Sequence, residues 1–417
     1  MQKRFTPDEG GVFPEWEEKT LGECMTLIAS KGYKGKDLVN DEDKAIMFSP
    51  SDIDTFGVVF LVKNAHISDE LFKKSKEALA KNGDILFTKT ASIGKVGYVK
   101  NLDHNATINP QIVILRANEN VDSYFLFCAV RTEAFKKQVH KISGGTTIKT
   151  MSQEALKKLK IKIPKSIEEQ RKIAAALAAY DEMIAVKTAK LETWQECKKR
   201  MVKEIFGRTK RFRDDDGNEF PEWEEKTLGE VAELKNGFAF SAKSYDKDNS
   251  GDYRIITIGN LQESKNIVIS NKTKTVLKAP ENIKEHQVLK NGDILVALTG
   301  ATAGRVALNV GINNLLNQRV GKLQIKDTVN VDNEFLYHIV SQERFEKEMK
   351  KKGHGSAQPN LSKCDVEGFS FSLPCIEEQQ KIGSFLAEID KEIEIQKEFI
   401  KTYAEGKKRM MRELMEG

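Results

Sequence analysis

Apolar residues recur at alternating steps of four and three positions in two long stretches of the chain. The first stretch runs from Ile173 to Ile205 and the second from Ile382 to Leu414, and neither contains a proline. This spacing places the apolar side chains on one stripe of a helix, as in a coiled coil. The seam residues expected to face another helix are Ile173, Leu177, Tyr180, Ile184, Leu191 and Trp194 in the first stretch, and Ile382, Leu386, Ile389, Ile393, Ile400 and Tyr403 in the second.

Each seam is interrupted by polar residues at the same two steps, Lys187 and Lys198 in the first and Gln396 and Lys407 in the second. We expect Ser166 to cap the first helix, with Glu169 completing a capping box. The other long helix is the obvious partner, and a two-fold axis perpendicular to both would make them antiparallel. The paired positions would be Ile173 with Leu414, Ile184 with Tyr403, Lys187 with Ile400, and Trp194 with Ile393. A slip of one heptad and separate packing of each helix on its own domain remain open.

The rest of the chain is predicted to be rich in strands. Tight-turn signals at 82–84 and 291–293 each precede a short apolar run, and a second apolar run follows. Helical patterns then lie near 123–141 and 333–352. We therefore expect an α+β fold with two pseudo-symmetric strand-rich domains separated by two long antiparallel coiled-coil helices. The predicted segments are domain 1 at 13–165, spacer helix 1 at 166–208, a linker and domain 2 at 209–374, and spacer helix 2 at 375–417.

The chain is an internal duplication. Residues 13–23 return letter for letter as residues 220–230, and further motifs recur at similar offsets through both halves. A unit of this length is too long for a solenoid repeat and suits a domain with an appended helix. Residues 30–35 and 235–240 do not match, so two copies of one scaffold are expected to carry different recognition surfaces. Lys34 and Lys243, in or just beyond these stretches, are candidate DNA contacts.

Composition excludes several classes of protein. Five scattered cysteines without a Cys-x-x-Cys pair, and six histidines without an i, i+4 pair, argue against a disulfide framework and a metal site. No apolar run approaches the length of a membrane span, and the first residues do not resemble a signal peptide, so we expect a cytoplasmic protein without membrane contact. A net charge of +5 permits nucleic-acid binding but does not establish it, because local charge decides.

Two small-residue turns, 90–95 and 299–305, combine hydroxyls, glycine and one cation, which suits a phosphate oxygen. An ordinary hairpin turn would have similar composition. Two glycine-bearing loops, 143–149 and 353–360, could read base edges or could simply connect elements. No phosphate-binding loop with the Gly-x-x-x-x-Gly-Lys pattern is present, which argues against nucleotide hydrolysis, and no cofactor is expected. The candidate DNA contacts in these segments are Thr90, Ser92, Lys95, Thr147, Lys149, Thr299, Thr302, Arg305, Ser356, Gln358 and Asn360.

The combined motifs resemble the DNA-specificity subunit of type I restriction-modification systems. They are Phe-Pro-x-Trp-Glu at 13–17 and 220–224, Asn-Gly-Asp-Ile-Leu at 82–86 and 291–295, and Ile-Glu-Glu-Gln at 167–170 and 376–379. The resemblance implies two target recognition domains, each reading half of a split sequence in double-stranded DNA. It also implies two adenine methyltransferase subunits and restriction-translocase subunits as partners, with no catalysis by this chain. Asn109-Pro110-Gln111-Ile112 departs from the methyltransferase motif after two residues.

Two other readings are considered. A restriction or modification enzyme with fused recognition domains would need an extra catalytic segment, yet the two repeats occupy residues 13–417. A coiled-coil adaptor without a DNA role predicts that the chain neither shifts DNA nor confers sequence choice on a methyltransferase.

Overall fold

The two copies of the sequence fold into closely similar series of elements. The computed structural model describes residues 4–30, 32, 37–61, 64–142, 150–352 and 360–416. Its contacts divide the chain into unit 1, made of Met1–Lys190 and Gln396–Gly417, and unit 2, made of Leu191–Ile395. Each long helix therefore contributes residues to both units.

The first repeat contains ten strands and six helices among its described residues. In chain order they are β1 (Glu17–Thr20), α1 (Leu21–Cys24), β2 (Met25–Ala29), β3 (Leu38–Val39), β4 (Ile46–Phe48), β5 (Ala65–Ile67), α2 (Asp69–Lys74), β6 (Ile85–Thr88), β7 (Val96–Tyr98), β8 (Ala106–Ile108), β9 (Ile112–Ala117), α3 (Ser123–Ala129), α4 (Glu133–Ile142), α5 (Gln153–Lys157), β10 (Lys160–Ile163) and α6 (Ile167–Phe206).

The second repeat follows the same plan with a different set of small strands. In chain order they are β11 (Glu224–Thr227), α7 (Leu228–Val231), β12 (Ala232–Asn236), β13 (Tyr253–Ile256), β14 (Thr275–Val276), β15 (Val288–Leu289), β16 (Ile294–Ala297), β17 (Val306–Leu308), β18 (Asn314–Leu316), β19 (Val320–Ile325), α8 (Asn333–Val340), α9 (Glu343–Lys352), α10 (Lys363–Glu367), β20 (Ser370–Leu373) and α11 (Ile376–Met411).

One sheet is common to both repeats. Its order is β2-β9-β6-β7 in the first and β12-β19-β16-β17 in the second, antiparallel throughout. The predicted tight turns precede β6 and β16, where Gly83 and Gly292 have φ of 90° and 85°. Glycine adopts this left-handed conformation without the steric cost that other residues incur. The α+β class and the strand signals of the sequence are confirmed.

The second sheet differs between the repeats. Its order is β3-β5-β4-β8 in unit 1 and β14-β13-β18-β15 in unit 2. Three strands correspond, β5-β4-β8 with β14-β13-β18, whereas the fourth is β3 beside β5 in unit 1 and β15 beside β18 in unit 2. The sequences also diverge here, beginning just after β2 and β12. A constant sheet thus supports a variable one in each unit.

The long helices pack in antiparallel pairs inside each unit. In unit 1, Tyr180 meets Tyr403 with ring centroids 6.4 Å apart, and the Lys187 ammonium lies 4.3 Å from the centre of the Phe399 ring. Asp181 also receives the Lys407 ammonium at 2.5 Å. Asp181 contacts Lys407, whereas Lys187, later in α6, contacts Phe399, which lies earlier in α11. This order confirms that the two helices run antiparallel.

The register agrees with the predicted one to within one residue at the ion pairs. The prediction places Asp181 opposite Gly406 and Lys198 opposite Ile389, whereas their salt-bridge partners are Lys407 and Asp390. A slip of a full heptad would instead have brought Asp181 close to Lys401.

A double-mutant cycle on Asp181→Asn and Lys407→Met tests this register. Because the two charges touch and Lys407 is only 8% exposed, we expect a coupling energy of about 1 kcal/mol in urea unfolding. The matched cycle of Asp181→Asn with Lys401→Met should show coupling near zero. Coupling to Lys401 in place of Lys407 would contradict the register.

Candidate functional site

The motifs at the two ends of repeat 1 meet in a partly buried cluster. The Arg4 guanidinium donates to both Glu169 carboxylate oxygens at 3.0 and 2.9 Å, and the Trp16 indole nitrogen donates to the same carboxylate at 3.2 Å. Glu169 is fully buried, so this carboxylate depends on these donors for the hydrogen bonds that water would otherwise supply. Its bond to Arg4 raises the pKa of that guanidinium.

Repeat 2 builds the same cluster from Arg211, Trp223 and Glu378. Arg211 donates to Glu378 at 3.3 and 2.9 Å, and Trp223 donates to it at 2.9 Å. Arg211 also donates to the carbonyl of Pro221 at 2.6 Å, as Arg4 does to Pro14 at 2.6 Å. The Pro-Glu-Trp and Glu-Glu-Gln motifs therefore join the start of each repeat to the start of its long helix.

The glutamine of the same motif fastens the helix to the domain. Gln170 accepts from the backbone nitrogen of Asp122 at 2.9 Å and donates to the carbonyl of Pro164 at 2.9 Å. Gln379 makes the equivalent bonds to Asp332 at 2.9 Å and to Pro374 at 2.8 Å. The start of each long helix is thus hydrogen-bonded to the residue that caps α3 or α8.

The sequence contained a signal for this cluster that the duplication argument did not use. Lys3-Arg4-Phe5 returns as Lys210-Arg211-Phe212, at the same offset as the opening motif. The prediction that Glu169 completes a capping box is wrong. The Ser166 hydroxyl does accept from the Glu169 nitrogen, at 3.5 Å, but the Glu169 carboxylate is bound by Arg4 and Trp16.

Each unit also holds one ion pair at the helix seam. Lys198 donates to Asp390 at 2.5 Å in unit 2, as Lys407 does to Asp181 in unit 1. The lysines that interrupt the heptad pattern at these steps therefore have carboxylate partners on the facing helix. Tyr124 also donates its hydroxyl to Asp181, and burial raises the pKa of that phenol.

The surroundings of the two ion pairs differ. In unit 2, His338 lies 3.8 Å from Asp390. Burial lowers the pKa of the His338 imidazole, and the charges of Lys198 and Lys265 lower it further. The corresponding position of unit 1 is Cys128, whose pKa burial raises to about 12. Its buried thiol therefore stays protonated at neutral pH.

The turn 90–95 lies beside the end of a glycine loop. Thr90 forms an isolated antiparallel bridge with Thr150, immediately after residues 143–149. Ser92 is exposed, but the Lys95 ammonium donates to the carbonyl of Pro50 at 2.7 Å. Two of the three candidates in this turn are therefore tied to the protein through backbone groups.

The turn 299–305 lies beside the end of the other glycine loop in unit 2, as the turn 90–95 does in unit 1. It differs in the hydrogen bonding of its hydroxyl groups. Thr299 bridges Asn360, and the hydroxyls of Thr299 and Thr302 are both buried without a hydrogen-bond partner among the described residues. Arg305 pairs with Glu263 at 3.3 Å, and that acid is 88% exposed. Such a surface pair is weak enough to exchange for a phosphate.

The remaining candidate DNA contacts are scattered or undescribed. Lys243 is exposed in a short turn of helix, and Asn360 is exposed beside Thr299. Five candidates lie outside the described residues: Lys34, Thr147, Lys149, Ser356 and Gln358.

The twelve predicted seam residues all lie on buried or half-buried faces of α6 and α11. Fully buried are Ile173, Leu177, Ile184, Ile382, Leu386, Ile389 and Ile393, and half-buried are Tyr180, Leu191, Trp194, Ile400 and Tyr403. Those of unit 2 pack in one core cluster with the domain helices.

Within the described ranges, no three His, Cys, Asp or Glu side chains are grouped so as to hold a metal ion. None of the helices in that part of the chain has both the length and the hydropathy of a membrane span.

The duplicated scaffold matches a known family twice. The model described as "Type I restriction modification DNA specificity domain" covers residues 14–193 and 221–402. The chain belongs to this family. The specificity subunit of the type I restriction enzyme MjaVIII from Methanocaldococcus jannaschii is 27% identical over 443 residues, spanning 100% of this chain and 96% of the relative.

A solved structure has the same fold. The S subunit of a type I restriction-modification system from M. genitalium superposes with a TM-score of 0.67 at 16% identity, over 96% of both chains. The chain is accordingly a DNA-specificity subunit, which recognises DNA and is not the catalytic component of its system. A specificity subunit acts in association with other restriction-modification subunits.

Proposed function

We propose that this specificity subunit reads a split DNA sequence, one half with each repeat. Support comes from the contrast between its two sheets. The β2-β9-β6-β7 sheet and the Arg-Glu-Trp cluster recur almost unchanged, while the second sheet carries a different edge strand in each unit, β3 or β15. A constant frame that holds two different surfaces suits two unlike half-sites. Residues 13–165 would be recognition domain 1 and residues 209–374 a linker with recognition domain 2, with spacer helices at 166–208 and 375–417.

The small-residue turns are the proposed phosphate contacts. Thr299, Thr302 and Arg305 offer two hydroxyls that form no hydrogen bond with any described residue, and a cation in a weak surface pair. Phosphate contacts of this kind set the register of a protein on DNA, while base edges supply sequence choice. Thr90, Ser92 and Lys95 would play the same part in repeat 1. Base reading would fall to the glycine loops and divergent stretches, with Lys34, Thr147, Lys149, Lys243, Ser356, Gln358 and Asn360 as candidates.

The proposed partners are two adenine methyltransferase subunits and, for cleavage, restriction-translocase subunits, in the cytoplasm. The rigid helix pair would set the distance between the half-sites and hold the methyltransferases over the target adenines. A methyltransferase must extrude its target base from the duplex. The specificity subunit would therefore have to hold the methyltransferase at a fixed position relative to the recognised sequence.

Exchanging residues 220–372 for those of another family member tests the proposal. We expect only one half of the methylated sequence to change when DNA from cells that also express the methyltransferase is read by single-molecule sequencing. The complementary exchange of residues 13–162 should change only the other half.

An undivided methylated sequence, or a change in both halves from one exchange, would contradict split reading. Methylation unaffected by either exchange would favour a coiled-coil adaptor without a DNA role.

A further inference from the structure

Unit 1 contains a cavity of about 210 Å³ where the last turns of α11 approach the start of α4. Phe56, Ile184 and Met411 form its apolar part. Five basic side chains and only two acidic ones, Glu133 and Asp181, line the remainder. The basic residues are Arg131, Lys136, Lys407, Lys408 and Arg412.

Two of the five cations are already neutralised. Lys407 pairs with Asp181 at 2.5 Å, and Lys136 pairs with Glu133 at 2.9 Å. The bond from Lys136 lowers the pKa of Glu133, to which Lys408 adds a smaller electrostatic effect. Both acids of the cavity are therefore already bound by cations.

Three cations remain without an ion pair among the described residues, namely Arg131, Lys408 and Arg412. The Arg131 guanidinium stacks on Phe127 at 4.7 Å and reaches the carbonyl of Thr55 only at 3.5 Å. Its second terminal nitrogen is buried and has no hydrogen-bond partner in the part of the chain that the structure describes. A buried guanidinium nitrogen without an acceptor is costly, and a ligand oxygen would relieve that cost.

Unit 2 provides an internal comparison, because the residues at the positions equivalent to this cavity do not carry the same charge. Ser341 stands in place of Arg131 and Glu346 in place of Lys136. The positions of Lys408 and Arg412 are occupied by Lys199 and Lys203, while Glu346 is itself paired with Lys350 at 2.6 Å. The excess of positive charge is thus a feature of this cavity in unit 1 and not of the matching positions in unit 2, although the scaffold is shared.

We propose that this cavity is a binding site for the DNA backbone, which takes successive phosphates through Arg131, Lys408 and Arg412. A single carboxylate from a partner protein would neutralise only one of three cations, whereas the regularly spaced charges of a duplex can engage all three. Arginine and lysine are the usual phosphate contacts, and a sugar can pack on the apolar part of the cavity. The site makes non-specific attachment to DNA unequal between the two units. The inference rests on the DNA-recognition role and not on split reading.

The salt dependence of binding to a random-sequence duplex tests the site. Each phosphate contact contributes about 0.9 to the slope of log affinity against log salt concentration. The full-length variant Lys408→Gln with Arg412→Gln should therefore lose about 1.8 of slope, measured by fluorescence anisotropy over a series of KCl concentrations. Both side chains are exposed, so the fold should persist, which urea unfolding checks.

The matched control is Lys199→Gln with Lys203→Gln at the equivalent positions of unit 2, which should keep the wild-type slope. An unchanged slope in the first variant would overturn the site, as would equal losses in both variants. Weaker binding to methyltransferase subunits with an unchanged DNA slope would assign the cavity to a protein carboxylate and overturn the site too. Failure of the wild-type chain to bind the duplex at all would count against the DNA-recognition role itself.

Discussion

Replacing Glu378 with alanine is expected to lower the free energy of unfolding of unit 2 by about 3 kcal/mol. The carboxylate is fully buried and accepts hydrogen bonds from both Arg211 and Trp223. Its removal leaves a partly buried guanidinium and a buried indole nitrogen without their acceptor, which is far more costly than the loss of a surface pair. Urea unfolding, followed by hydrogen exchange of peptides from residues 191–395, measures the effect.

The neighbouring Glu377→Ala is the control, because that side chain is exposed and should change stability by less than about 0.5 kcal/mol. Glu169→Ala should produce the same loss in unit 1 and spare unit 2. Equal, small effects at Glu377 and Glu378 would show that the cluster does not support the fold.

The cluster also explains why the family motifs are spread along each repeat. Arg211 and Trp223 lie near the start of repeat 2 and Glu378 lies in the first turn of α11, so one carboxylate joins the two ends of the segment between them. The antiparallel pairing of β11 with β20 joins the same two ends, from Glu224 opposite Leu373 to Thr227 opposite Ser370. Everything between these ends can change its surface without disturbing the attachment to the helix.

The helices and the constant sheet could be predicted from sequence because their signals are local. A heptad seam from Ile173 to Ile205 specifies a helix with one apolar stripe, and an Asn-Gly-Asp turn before an apolar run specifies a strand. The antiparallel register followed from symmetry. The seam lysines Lys198 and Lys407 also fit the helix pairing, because Asp390 and Asp181 on the facing helix neutralise their charges.

The Arg-Glu-Trp cluster could not be derived in the same way. Glu169 has all the sequence features of a capping-box acid, and only the distant Arg4 and Trp16 decide that its carboxylate turns to them. Local pattern is ambiguous wherever a tertiary partner competes for the same group. The phosphate turns illustrate a further limit, because Thr299 and Lys95 are alike as candidates. Yet the Thr299 hydroxyl has no hydrogen-bond partner within the described ranges, whereas the Lys95 ammonium donates to a carbonyl.

A second large effect on stability is expected in the divergent stretch after β12. Gly237 has no side chain where the chain crosses to the second sheet, and a Cβ built there would lie 2.1 Å from the carbonyl oxygen of Asn317. The Phe238 nitrogen donates to Leu316 at 2.7 Å, so this backbone cannot move away without losing that bond. We expect Gly237→Ala to destabilise unit 2 by more than about 2 kcal/mol, because the clash is with backbone on both sides.

Gly32→Ala is the matched control from the corresponding stretch of repeat 1, since nothing lies within 4 Å of a Cβ at that position. It should leave the urea midpoint unchanged or slightly raised. If Gly237→Ala were equally silent, the contact between residues 237–238 and 316–318 would not be what fixes the second sheet of unit 2 to the first. The unlike edge strands of the two second sheets would then need another physical cause. A loss confined to unit 2 would show that each recognition surface is fixed by its own backbone contacts, independently of the scaffold that both repeats share.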